Sequence, residues 1–399
     1  MPQAGTPLNN TGGERARFLK SACREKQPRG CANGNNGNNH HRWAIFDGLI
    51  PLTNTRWYEE RIRRYEHRRW AEEPNRPVLP FAWGLEHIGG QPDEDDPRGF
   101  LARFAEKTVA SSDEWFACET PFDFHLKTTT DGSAWSGELA FTSAVRSPWE
   151  ENNRVHARFF PAAKSGAAVV VLPQWNAQYS AYVDVCRWLN RLGISALRLS
   201  LPYHDHRAVP GHERADYIVG PNIGLTLQAN RQAVCDARCS LHWLESRGYG
   251  PLGILGTSLG SCISCITVAH EPLIRAAALL HVSTNFGDVV AKGLTTSHVW
   301  ESLRKRVSED EIHRFWEPVS PIPYISKLRG TGQKLLAISG QFDPTFPVDL
   351  SDQFLAAARE NEVSCVSLRL PCGHYSLGEA PFKWIVGWRF GKFLQRNLS

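Results

Sequence analysis

The sequence predicts an α/β protein whose mostly parallel central sheet is covered by helices on both faces. One observation is that short apolar runs such as AAVVVL at residues 167–172 lack polar alternation, as do strands buried on both faces. Another is that, from residue 153 onward, such runs alternate with helical patterns, which is typical of strand-helix-strand units. A chain of 399 residues, 42% of them hydrophobic, can bury a core that needs neither disulfides nor a structural metal.

The composition divides the chain into three regions. Residues 1–42 are rich in Asn, Gly and Arg, and we expect a disordered basic tail because so few apolar side chains cannot offset the entropy of ordering. His40 and His41 lie in this tail without further ligands, so no metal site is predicted there. Residues 43–120 are aromatic and basic and predict a helical N-terminal extension, whereas residues 121–399 contain the strand-helix pattern.

One helix of the extension is predicted at residues 55–70. Its apolar side chains recur at near-helical spacing, at Trp57, Tyr58, Ile62, Tyr65 and Trp70. Glu59, Glu60 and Glu66 stand among the arginines of the other face, at distances that permit i,i+4 ion pairs. We expect the aromatic stripe to pack on its own domain rather than on a membrane, although a peripheral contact or a homo-oligomer through the extension stays open.

The elements of the main domain follow in a regular order. Strands are predicted at residues 153–160, 167–172, 194–201, 252–255, 275–282, 334–339 and 364–370. Helices are predicted at residues 179–192, 222–246, 258–270 and 348–360, and from about residue 380. A helical insert at about residues 285–328 interrupts the pattern, with one helix beginning at Ser308 because Ser308 and Glu311 form a capping box.

A serine motif stands at one of the predicted strand-to-helix junctions. The pattern GTSLG at residues 256–260 follows the strand at residues 252–255 and begins the next helix, which is the context of a nucleophile elbow. Gly256 and Gly260 suit such a tight turn, where side chains would collide with the adjoining strand and helix. Ser258 is therefore a candidate nucleophile, at a helix N-terminus whose amides favour a developing negative charge.

A serine hydroxyl needs a base to remove its proton and an acid to orient that base. Asp343 lies in GQFDP after the strand at residues 334–339, and His374 lies in PCGHY after the next strand. Because the carboxyl ends of parallel strands about 4.8 Å apart share one edge of a sheet, we expect the three side chains to meet there. The sequence thus predicts a triad of Ser258, His374 and Asp343.

In these motifs the sequence resembles the α/β-hydrolase superfamily, over about residues 153–395, through GTSLG, GQFDPTFP and PCGHYSLG. The chain order Ser258, Asp343, His374 is the order of that fold. More narrowly, LESRGYGPLGILGTSLG and LPYHDHR resemble the α/β-hydrolase domain-containing protein 18 family, whose members carry a comparable N-terminal extension. The resemblance implies the α/β-hydrolase fold, with residues 121–399 as the catalytic domain and the insert at about 285–328 as a helical lid.

The resemblance also implies an oxyanion hole made of backbone amides. The superfamily uses the amide after the nucleophile, here Leu259, and one from the loop after an early central strand, here LPQWN. Trp175, and after it Gln174, are the candidates for the second amide, which stays open because the common His-Gly pair is absent from this loop. Tyr203, Trp300 and Phe346 are candidates to bind substrate.

The implied reaction is hydrolysis of a carboxylic ester through an acyl-enzyme, without a cofactor or metal. An amidase, a thioesterase or an acyltransferase would use the same triad. A hypothesis from another class is a non-catalytic protein that retains the fold to bind a ligand or a partner. A small-molecule ester is the expected partner.

Other features exclude function classes or are interpreted as structural. A net charge of +4 is too balanced for a nucleic-acid-binding protein, and no apolar run is long enough for a membrane span. No apolar stretch follows the basic residues of the first thirty, so no secretory signal is expected there. Ten scattered cysteines favour a reducing, cytoplasmic location. Within predicted helices, Cys235, Cys239, Cys262 and Cys265 are interpreted as small buried residues, and the triplet at residues 204–206 as part of a pocket or a loop hydrogen-bond network rather than a zinc site.

Overall fold

The structure is a computed structural model that describes residues 55–73, 75–129, 135–163 and 166–399. The predicted tail at residues 1–42, with His40 and His41, and the first residues of the predicted extension lie outside the described residues.

The described strands form one sheet of nine strands. In chain order they are β1 (His125–Thr128), β2 (Gly137–Thr142), β3 (Arg154–Phe160), β4 (Ala168–Leu172), β5 (Ser195–Leu199), β6 (Leu252–Thr257), β7 (Ile274–Leu280), β8 (Lys334–Gly340) and β9 (Cys365–Leu370). Their spatial order is β1-β2-β3-β5-β4-β6-β7-β8-β9. The first three strands and the β3–β5 pair are antiparallel, and all pairs from β5 to β9 are parallel.

The described helices connect these strands or precede them. They are α1 (Arg56–Glu72), α2 (Pro97–Ala110), α3 (Ser112–Trp115), α4 (Glu150–Asn153), α5 (Val183–Arg191), α6 (Ile223–Ser246), α7 (Leu259–His270), α8 (Phe286–Lys292), α9 (Ser297–Leu303), α10 (Glu309–Phe315), α11 (Val348–Glu360) and α12 (Phe382–Asn397). Short 3-10 turns join several of them. None of the helices in this part of the chain combines the length and the apolar character that crossing a bilayer requires.

Strand β4 shows why both faces of the sheet are covered. Its five residues are fully buried, and alternate side chains point to opposite faces. Ala168, Val170 and Leu172 pack into one core cluster with side chains of α6 and α7, whereas Val169 and Val171 pack into a second with side chains of α5 and α12. The predicted fold class, a mostly parallel sheet with helices on both faces, is confirmed.

The strand order reverses direction between β4 and β6. After β4 the chain passes to β5 on one side, and the next strand, β6, returns to the other side of β4. Leu172, the last residue of β4, lies opposite Gly256 of β6. Loops that follow strands at such a switch point separate, leaving a crevice at the carboxyl edge of the sheet. The site described below lies at this edge.

Several predicted boundaries differ from the observed ones for identifiable reasons. Helix α5 begins at Val183 rather than near residue 179, because Tyr182 has a left-handed backbone with φ 72° and ends the preceding turns. Strand β7 ends at Leu280 rather than at residue 282, because His281 has φ 63°. The capping box at Ser308 is confirmed, since the Ser308 Oγ accepts from the Glu311 amide at 3.2 Å and the Glu311 carboxylate accepts from the Ser308 amide at 2.8 Å.

The helices of the extension and of the insert contribute to the larger core cluster. From the extension, Leu101 and Phe116 are fully buried in it. From the insert, Ile312, Phe315 and Trp316 are buried in it as well. The Trp316 Nε1 donates to the carbonyl of Ile223 at the start of α6. These apolar side chains of the insert thus pack on the body of the protein.

Candidate active site

Ser258 occupies a sharp turn between β6 and α7. Its backbone has φ 56° and ψ −121°, which non-glycine residues rarely adopt, and such strain persists where the surrounding structure enforces it. The Ser258 amide donates to the Leu280 carbonyl at 2.8 Å, which ties the turn to the end of β7. The hydroxyl is thereby held at the N-terminus of α7, and the residue is 7% exposed.

The two glycines of the motif are required by close backbone approach. A Cβ at Gly256 would lie 2.1 Å from the Gly260 carbonyl oxygen, and a Cβ at Gly260 would lie 2.4 Å from the Leu172 carbonyl oxygen. Real Cβ atoms do not approach backbone oxygens so closely. The motif therefore lets α7 begin directly against the loop that follows β4.

The predicted residues His374 and Asp343 meet Ser258 at this edge. The His374 Nε2 lies 3.1 Å from the Ser258 Oγ, and the His374 Nδ1 lies 2.9 Å from the Asp343 Oδ2. Both are hydrogen-bond distances. The other carboxylate oxygen, Asp343 Oδ1, accepts from the amides of Thr345 and Phe346, each at 2.8 Å. The carboxylate is thus fixed by its own turn while it faces the imidazole.

Charge distribution at the site favours an ionised Asp343 and a basic His374. Burial alone would raise the pKa of Asp343, but the neighbouring imidazoles of His374 and His281 hold the pKa of this carboxyl well below its usual range. Burial alone would lower the pKa of His374, but Asp343, Glu66 and Glu73 together raise this pKa above 6.5. An imidazole in this setting can accept a proton from Ser258 and stabilise the positive charge that results.

One of the amides expected to form an oxyanion hole lies in this turn. Leu259 is the first residue of α7, so its amide has no partner within the helix. On the β4 side, the Gln174 amide donates to the Tyr182 hydroxyl at 3.4 Å. The Trp175 side chain is anchored separately, because its Nε1 donates to the Ala215 carbonyl at 2.9 Å. Because the Gln174 amide already has a partner in Tyr182, the Trp175 backbone amide stays the first candidate for the second donor.

Comparisons with known proteins agree with this architecture. Two solved structures share the fold: acetyl xylan esterase 1 from Thermoanaerobacterium sp. JW/SL YS485 (15% identity, TM-score 0.53) and the acetyl xylan esterase from Paenibacillus sp. R4 (12% identity, TM-score 0.52). Each alignment covers 79% of this chain and 99% of the other. The chain has the α/β-hydrolase fold. In addition, residues 189–333 match the family model described as alpha/beta hydrolase domain containing 18, so both predicted resemblances are confirmed.

The other predicted site residues of this chain have different surroundings. Phe346 stacks on His374, with ring centroids 5.3 Å apart and planes 21° apart, so it lies at the site. Tyr203 is buried and packs against Trp149 and Tyr217, with centroid distances of 5.7 and 5.3 Å. Trp300 is half-buried and packs against the larger core cluster.

The helical cysteines, and His204 and Asp205 of the triplet at residues 204–206, are buried or hydrogen-bonded within the fold. All four helical cysteines of those motifs are buried: Cys235, Cys239, Cys262 and Cys265. His204 Nε2 accepts from the Asn176 amide at 2.9 Å, which braces the loop after β4. Asp205 forms an ion pair with Arg198, whose side chain is fully buried.

A second imidazole, missed from the sequence, faces the same carboxylate. His281 Nδ1 lies 2.8 Å from Asp343 Oδ2, and its ring centroid lies 4.3 Å from that of His374. Burial and the nearby His374 lower the pKa of His281, against the opposing effect of Asp343. The sequence signal was a histidine at the end of a buried strand. It was overlooked because the strand was predicted to extend to residue 282, which placed His281 inside it.

These three side chains are also spaced closely enough to provide metal ligands. In the described part of the chain, His281, Asp343 and His374 form such a group, with ligand atoms within 4.8 Å of one another. However, in the tautomer whose Nδ1 donates to Asp343, that nitrogen has no lone pair for a metal, and the lone pair of Nε2 faces the Ser258 hydroxyl 3.1 Å away. The arrangement is therefore better suited to proton transfer.

Glu66 of α1 is the other site residue that sequence reasoning missed. It was expected to pair with arginines, but it is fully buried and binds the residues that follow His374. By contrast, the predicted pairing is observed for Glu59 with Arg63 and for Glu60 with Arg56. The available signal was spacing, since Glu66 lies four residues from both Ile62 and Trp70 on the apolar stripe.

Proposed function

We propose that this chain is a serine hydrolase that cleaves carboxylic esters through an acyl-enzyme. The observation that carries the proposal is the continuous contact from Ser258 Oγ to His374 Nε2, and from His374 Nδ1 to Asp343 Oδ2, at 3.1 and 2.9 Å. This is the geometry of an activated nucleophile, a general base and an orienting acid.

The first half of the reaction forms the acyl-enzyme. As Ser258 Oγ attacks the ester carbonyl, its proton passes to His374 Nε2, and Asp343 stabilises the resulting imidazolium. The amides of Leu259 and Trp175 stabilise the negative charge that develops on the carbonyl oxygen, each such donor contributing about 3 kcal/mol. His374 then gives the proton to the leaving alcohol, and the carbon–oxygen bond to that alcohol breaks.

The second half releases the acid. A water molecule loses a proton to His374 as it attacks the acyl carbonyl, and the same amides stabilise the second tetrahedral intermediate. The proton returns to Ser258 Oγ when the intermediate collapses. Because each half needs the neutral imidazole, protonation of His374 abolishes both.

A fluorophosphonate probe tests the proposal, because it phosphonylates only a serine that a neighbouring base activates. We expect the wild-type chain to be labelled at pH 8 and Ser258→Ala to remain unlabelled. Ser246→Ala is the matched control, since Ser246 is exposed at the far end of α6, and it should be labelled like wild type. No labelling of wild type would refute the proposal and favour a non-catalytic binding protein.

Hydrolysis of p-nitrophenyl esters of increasing acyl length then defines the substrate. Ester hydrolysis that Ser258→Ala eliminates supports the proposed reaction. Labelling by the probe without hydrolysis of any ester would instead favour an amide, a thioester or transfer of the acyl group to another acceptor.

A further inference from the structure

The buried carboxylate of Glu66 joins the N-terminal helix to the loop that carries His374. Glu66 Oε2 accepts from the Tyr375 amide at 2.7 Å, and Glu66 Oε1 accepts from the Ser376 amide at 2.9 Å and the Ser376 hydroxyl at 2.7 Å. Three donors on two consecutive residues directly after His374 thus converge on one side chain. Fully buried carboxylates are rare unless they are paired in this way.

The same bonds continue to the other side of His374. The Gly373 amide donates to the Ser376 Oγ at 2.8 Å, while the Ser376 hydroxyl donates to Glu66. A Cβ at Gly373 would lie 2.4 Å from the Glu66 Cδ, so the glycine leaves the space that the carboxylate fills. Residues before and after the histidine are therefore held by one acidic side chain.

A second contact fixes α1 against the two loops of the predicted acid and base. The Tyr58 hydroxyl donates to the Pro371 carbonyl at 2.8 Å, and the Tyr58 ring lies 6.1 Å from that of Phe342. Pro371 precedes His374 by three residues, and Phe342 directly precedes Asp343. The helix thus contacts the loops of both residues, and Glu66 is placed by a helix that Tyr58 anchors.

We propose that Glu66 is a positioning residue of the active site, through which the N-terminal helix holds the loop of His374 and adds negative charge beside the imidazole. The inference rests on the proposed function, because it concerns the base of that reaction. Glu66 does not touch the reacting atoms, and it acts through the backbone on either side of His374.

The charge of Glu66 gives this role a signature that a purely structural role lacks. The titratable and charged groups around His374 are Asp343 and His281 from the sheet edge, Glu66 and Glu73 from the N-terminal segment, and Arg76 with Tyr375 beside them. Among these, Glu66 raises the pKa of His374 together with Asp343 and Glu73. Removing its charge should therefore lower the pH at which the imidazole becomes protonated.

The test compares the rate of fluorophosphonate labelling as a function of pH in wild type, Glu66→Gln and the control Glu60→Gln. Glu60 lies on the exposed side of the same helix in an ion pair with Arg56, so its variant should match wild type. We expect Glu66→Gln to be labelled about 10- to 100-fold more slowly, because small displacements of a catalytic group have effects of this size. The midpoint of its acid limb should lie at lower pH than in wild type.

The possible outcomes separate this role from the proposed function. If wild type and Glu66→Gln are labelled with the same midpoint, the positioning role is refuted whatever the rates, while the proposed function stands. If wild type is not labelled, the proposed function fails, and this role fails with it. A slower rate together with a lower midpoint supports the role.

Two further variants apply if Glu66→Gln does not fold, as judged by thermal unfolding. Ser376→Ala removes one of the three donors and leaves both amide bonds to Glu66, and it should slow labelling several-fold. Gly373→Ala places a methyl group against Glu66 and should slow labelling, whereas Gly387→Ala on α12, with no atom within 4 Å of its Cβ, is the control. Wild-type rates in both Ser376→Ala and Gly373→Ala would refute the role.

Discussion

Two regions of this molecule each place a buried carboxylate near His374, one in contact with the imidazole and the other in contact with the loop that carries it. The carboxyl edge of the sheet provides Asp343, whose Oδ2 lies 2.9 Å from the imidazole itself. Helix α1 provides Glu66, which binds only the backbone and a hydroxyl beyond the histidine. The comparison separates two proposed tasks: Asp343 orients the imidazole by direct contact, whereas Glu66 holds its loop through the backbone and adds charge without touching the ring.

The largest expected effect lies wholly within the sheet edge. Ser258→Ala and His374→Ala should each lower kcat for an ester by about a million-fold, and the double variant should lose little more, because the residues act as one unit. Steady-state kinetics of the three variants on one p-nitrophenyl ester measure this. Losses that multiply in the double variant would show that the two residues act independently.

The next effect ranks the two carboxylates directly. Asp343→Asn should lower kcat by about 10,000-fold, because the amide favours the wrong tautomer of His374. Glu66→Gln, which leaves the tautomer alone, should be at least about 100-fold less severe on the same substrate. Equal losses, or a larger loss in Glu66→Gln, would reverse the division of tasks between the sheet edge and α1.

The smallest effect is the dependence of kcat/KM on pH. The neutral imidazole is the active form, and the pKa of His374 is raised above 6.5 by Asp343, Glu66 and Glu73 despite its burial. Activity should therefore be complete above this raised pKa and fall about tenfold per pH unit below it. A rate profile from pH 5 to 9 should place the midpoint above 6.5, and a midpoint below 6.5 would contradict the assigned charges.

The residues of the sheet edge could be predicted from the sequence, whereas the contact made by helix α1 could not. Ser258, Asp343 and His374 each follow a buried strand, and strands of this kind are recognisable from local apolar runs. Because parallel strands deliver their carboxyl ends to one edge, the meeting of these residues required no knowledge of distant packing. The fold class and the residues that meet at this edge were therefore accessible from local patterns.

The rest depended on contacts between distant segments or on single backbone angles. Periodicity placed Glu66 on a helix but could not tell which loop that helix would meet some 310 residues later. His281 was concealed because its φ of 63°, which ends β7, leaves no mark in the sequence. Tyr203 remains a candidate to bind substrate, and its packing with Trp149 and Tyr217 could not be predicted, because the path of the loop after β5 is set by tertiary contacts.

The most direct test of the central claim is to trap the acyl-enzyme. The wild-type chain is mixed with p-nitrophenyl acetate, quenched in acid during turnover, digested and analysed by mass spectrometry. The account predicts an acetyl group on the peptide that contains Ser258, and its absence in Ser258→Ala. Release of p-nitrophenol with no acetyl group on Ser258, or with the acetyl group on another residue, would contradict it.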